Sequence, residues 1–146
     1  MKTELWNRIK AFSSDDPPSE YGFSTRLANE NFWTKNFTDK AVLEYKKFMY
    51  LAATSDAMVA PSPIVDVVWH EHLIFTQSYT ALCDVLGKQV QHIPSTHNCN
   101  EFEKFSKAKE RTSQLYEETF GAQPGDIWDY PDMYASLDLP KAKLKL

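Results

Sequence analysis

Apolar residues along this chain recur mostly every three or four positions, the spacing that gathers them on one side of a helix. Leu5-Trp6 to Phe12 forms a short amphipathic stretch, which the turn formers Ser13-Ser14-Asp15-Asp16-Pro17-Pro18-Ser19 interrupt. A second helix is predicted over residues 24–33. A third begins near Thr38, with Thr38 as its N-cap and Asp39 in its first turn, and carries Val42, Tyr45, Phe48, Met49 and Ala52 at helical spacing. Pro61-Ser62-Pro63 opens a fourth, because Ser62 can cap and Pro63 suits the first helical position. Residues 64–75, from Ile64 to Phe75, are apolar almost all round, as a central helix is. Their β-branched run also fits a buried strand, but the length and the Ser-Pro start favour helix. Helical spacing resumes at Tyr79, Leu82, Cys83 and Leu86 and stops at Gly87, with Thr76 as a candidate cap for a separate helix. Residues 88–94 read as extended. Asn100 caps a long helix bearing Phe102, Phe105, Thr112, Leu115, Tyr116 and Phe120, closed by Gly121, and residues 124–134 read as an aromatic loop.

These elements predict an all-α fold, a compact bundle of about six helices around the central 64–75 helix. Composition agrees: only 4 of 146 residues are glycine, which argues against a turn-rich β-sandwich. The expected division is an N-terminal helix and linker over 1–22, a helical core domain over 23–135, and a basic tail over 136–146. The tail's Lys141, Lys143 and Lys145 read as a frayed end rather than a binding patch. The net charge of −4, with no basic stripe interleaved with aromatics, argues against nucleic acid as a partner. The first residues lack the apolar core of a secretory signal, and no run approaches the ~18 apolar residues of a membrane span. A cytoplasmic location without membrane insertion is therefore expected. Cys83 and Cys99 do not make a disulfide framework and are expected not to be bonded to each other.

The candidate chemistry sits on the central helix. Asp66 and His70 are four apart and share one face, whereas His72 lies about 200° around the axis from His70. On a regular helix His70 and His72 cannot bind one metal ion. Nor is His70-Glu71-His72 the His-Glu-x-x-His metalloprotease motif, which requires a histidine where this chain has Ile74. Cys83 shares the azimuth of His72 but lies ~16 Å further along one straight helix, so the two meet only if the helix breaks near Thr76. His92, in the extended stretch after Gly87, can run back to the central helix and is the remote partner expected for His70 or His72. Asp66, His70 and His92 are thus expected to converge, with Cys83 or His72 nearby but not both. Zinc suits such a mixture of imidazole, carboxylate and thiolate. An Asp66–His70 pair that only satisfies itself, and an acid–base pair, remain alternatives. His97 and Cys99 form an isolated pair in a polar stretch, and Trp33, Trp69 and Trp128 read as core anchors.

Several segments together resemble a family of bacterial domains related to the plant glycine-rich-domain-containing proteins. They are Arg26-Leu27-Ala28-Asn29-Glu30-Asn31-Phe32-Trp33, then Glu44-Tyr45-Lys46-Lys47-Phe48-Met49-Tyr50-Leu51-Ala52, and above all Pro61-Ser62-Pro63-Ile64-Val65-Asp66-Val67-Val68-Trp69-His70-Glu71-His72-Leu73. Thr76, Tyr79, Cys83, Gly87, His92 and Pro94 follow, then Leu115-Tyr116-Glu117-Glu118-Thr119-Phe120-Gly121 and Asp126-Ile127-Trp128. Two departures stand out: Gln91 replaces a histidine common in the family, and Asn98-Cys99 replaces a glycine pair. The resemblance implies that Asp66, Trp69, His70, Cys83 and His92 belong to one recurrent pattern, often at the start of longer membrane proteins. It implies no settled activity.

Three functional readings follow. The favoured one is a binding or regulatory module, with or without zinc, whose partner is another protein or the rest of a longer chain. The second is a small metal-dependent hydrolase, and the third a purely structural polar cluster in an interaction domain. The chain carries no Gly-rich phosphate loop and no nucleophile elbow to favour an enzyme.

Overall fold

The computed structural model describes residues 1–15, 22–91 and 99–129, and its regular structure is all α-helical. Seven helices occur among the described residues: α1 (Thr3–Ala11), α2 (Phe23–Asn31), α3 (Lys35–Thr54), α4 (Pro63–Ile74), α5 (Thr76–Leu86), α6 (Cys99–Phe120) and the short α7 (Gly125–Trp128). None is long and apolar enough to cross a membrane.

The predicted central helix is α4. It packs most extensively on α3 and also meets α2, α5 and α7. Ser62 caps it through a 3.1 Å bond from the Val65 amide, and Pro63 occupies the first turn, as the Ser-Pro signal requires. The chain breaks at Phe75 and resumes as α5, which ends at Gly87 in the left-handed conformation (φ 80°). α3 starts earlier than its spacing suggests. Thr34, not Thr38, is the cap, accepting from the Phe37 amide at 3.1 Å, while Thr38 is buried one turn later and donates to the Thr34 carbonyl. The stretch after Gly121 is not all loop, since α7 buries Ile127 and Trp128.

α1 joins the same core. Trp6 and Ile9 are buried, and the Trp6 ring meets Tyr50 and Phe120 edge-on. Two long-range contacts fasten the short helices. Lys46 Nζ donates to the carbonyls of Lys10 and Phe12 at the C-terminal end of α1, where a cation complements the helix dipole. Asp15 accepts from the Ser24 amide at 2.9 Å and its hydroxyl at 2.5 Å, placing a carboxylate at the start of α2.

Candidate functional site

The α4 sequence carries one apolar series at i, i+3, i+4 and i+7: Val65, Val68, Trp69 and His72, all buried. His72 therefore points into the core and is fully buried. Around it stand the rings of Phe23, Tyr79 and Tyr45, with centroids at 5.3, 5.4 and 5.5 Å. Tyr45 Oη lies 2.7 Å from Nδ1 and Ser78 Oγ 2.9 Å from Nε2, with Ser14 Oγ at 3.5 Å from the same nitrogen. Burial raises the Tyr45 phenol well above its ordinary range, so it keeps its proton. A neutral imidazole donates from one nitrogen and accepts at the other, and hydroxyls can meet both requirements. Burial, and secondarily the Lys46 ammonium, push His72 down to about 4, so the ring is neutral at physiological pH. Both of its nitrogens are engaged in tying α4 to α3 and α5.

A second buried chain runs beside it. Trp69 Nε1 donates to Tyr79 Oη at 3.0 Å, and Tyr79 donates to the Val90 carbonyl. Burial raises the Tyr79 phenol to about 12. Cys83, a free and buried thiol, lies in the same cluster and interacts with both Tyr45 and Tyr79. On the other side of α3, the buried Glu44 carboxylate accepts from Tyr116 Oη at 2.5 Å and Trp128 Nε1 at 2.8 Å, and pairs with Lys47 Nζ at 2.9 Å.

Asp66 and His70 share the outer part of α4, as their spacing predicts. Their Oδ2 and Nε2 atoms are 3.8 Å apart, an ion-pair distance too long for a hydrogen bond, and the His70 side chain is 57% exposed. His72 and Cys83 lie away from that surface, in the core. His92 and His97 fall outside the described residues, and with them the test of convergence at His70. Among the described residues, no group of three or more His, Cys, Asp or Glu is placed to hold a metal ion.

The residue between the histidines was not singled out by spacing alone. Glu71 is buried, and Arg26 Nε lies 2.8 Å from its Oε1. That N–H is aimed at Glu30 Oε1, 2.9 Å away, so the contact with Glu71 is an ion pair that leaves Oε1 without a hydrogen-bond donor. Burial, and then the Glu30 carboxylate, raise Glu71 above the ordinary carboxylate range, while Arg26 opposes the shift.

What remains of α4 faces outward. At ~100° per residue, Pro63, Val67, His70 and Ile74 fall within ~60° of one another. Pro63, His70 and Ile74 are exposed, Ile74 to 57%, and Val67 is half-buried. α2 runs antiparallel along one side: Phe23 meets Phe75 at 5.8 Å near the end of α4, while Arg26 reaches Glu71 one turn earlier. At the far end of α2, Phe32 is 95% exposed and held at φ 56°, a left-handed conformation that an aromatic residue adopts at a cost. Elsewhere a cleft of about 350 Å³ opens between the loop after α3 and the segment after α5, floored by Phe48, Trp69 and Val90 and rimmed by Asp56, Lys88 and Gln91.

Comparison with known proteins supports the relation to the glycine-rich-domain-containing proteins. The chain is 29% identical over 96 residues to Glycine-rich domain-containing protein 1 of Arabidopsis thaliana, covering 60% of this chain and 11% of that protein. It is 29% identical over 91 residues to Glycine-rich domain-containing protein 2 of the same plant, covering 58% and 12%. The match thus spans about a ninth of the length of these relatives. No solved structure matches the chain. The UCP032817-like family model matches residues 23–112, from the start of α2 into α6 and including all of α4, and the chain belongs to that family.

Proposed function

We propose that the chain is a protein-interaction module whose contact surface is the outward side of α4. One observation carries the reading. The most apolar helix of the fold keeps Pro63, Val67 and Ile74 at the surface while its neighbours cover its other sides. Apolar surface that the fold leaves uncovered is where burial by a partner gains free energy. Phe32 supports the same reading, because strained backbone holding an exposed aromatic is retained where the side chain has work to do outside the fold. The core histidine is closed to catalysis. His72 has both ring nitrogens bonded and no exposed surface, so it is unavailable to a substrate proton.

The test is site-specific photocrosslinking. A photoreactive amino acid at position 74 is expected to give discrete adducts with another polypeptide in the native cell, and one at the exposed position 104 on α6 none. Indistinguishable patterns at the two positions would refute the assignment of the surface.

A further inference from the structure

We draw no further inference here: the strongest candidate, the apolar outward face of α4 around Val67 and Ile74, belongs to the site already described, and nothing in the structure shows what covers it.

Discussion

His72 makes the fold acid-labile in a calculable way. Its folded value of about 4 lies below its ordinary value of 6.5, so the unfolded chain binds a proton that the native core refuses. The stabilisation is therefore complete above pH 6.5 and is lost as pH falls from 6.5 to about 4, where the native ring also protonates. At ~1.4 kcal/mol per unit the full loss is about 3 kcal/mol, a large fraction of the ~5–15 kcal/mol that holds a typical domain together. His72→Phe removes the titration. It also leaves the Tyr45 and Ser78 hydroxyls without their ring partners, at a cost of ~1–3 kcal/mol for each stranded group, whatever the pH. Urea unfolding of both proteins, followed by tryptophan fluorescence at intervals from pH 8 to pH 4, separates the two effects. The variant should be less stable at pH 8, and the gap should close by about 3 kcal/mol by pH 4. Titrations common to both proteins cancel in the difference. Parallel stability curves across that range would show that His72 is not the group responsible.

Other expectations follow from the same contacts. Glu44→Ala strands Tyr116, Trp128 and Lys47 around an emptied site and should cost ~3–5 kcal/mol, read from the denaturant midpoint at unchanged slope. Phe32→Gly relieves the left-handed strain and should raise stability by ~1 kcal/mol; a drop in melting temperature would contradict the strain. Arg26→Ala removes the cation that opposes the rise of Glu71, so the Glu71 carboxyl should titrate at still higher pH in carbon-13 NMR.

The architecture was readable because local signals agreed. Ser62-Pro63 fixed where α4 starts, Gly87 and Gly121 fixed where α5 and α6 stop, and the scarcity of glycine excluded a turn-rich sheet. Thr34 and Thr38 show the limit: either can cap, and only packing decides that Thr38 is buried inside the first turns of α3. On α4 the difficulty was an excess of apolar residues. With such residues on every side, periodicity does not say which side is inward, and Asp66–His70 drew attention as a pair. Burial of Val65, Val68, Trp69 and His72 in the structure marks the inward face, and it identifies His72 as the histidine held in the core. Its partners Tyr45 and Ser78, like the bond between Glu44 and Trp128, lie on other helices, and no local pattern in one sequence announces them.

The Glu44 network also bears on the order in which a ribosome delivers the fold. Glu44 is synthesised 84 residues before Trp128 and 72 before Tyr116, the two donors to its buried oxygen. A nascent chain that has completed α5 has, among the described residues, made Lys47 but neither of these donors, and cannot bury the carboxylate without penalty. Domains otherwise tend to consolidate from the N-terminus as they emerge. α7 supplies the later of these donors, so the Glu44 site on α3 is expected to close only after Trp128 has left the exit tunnel.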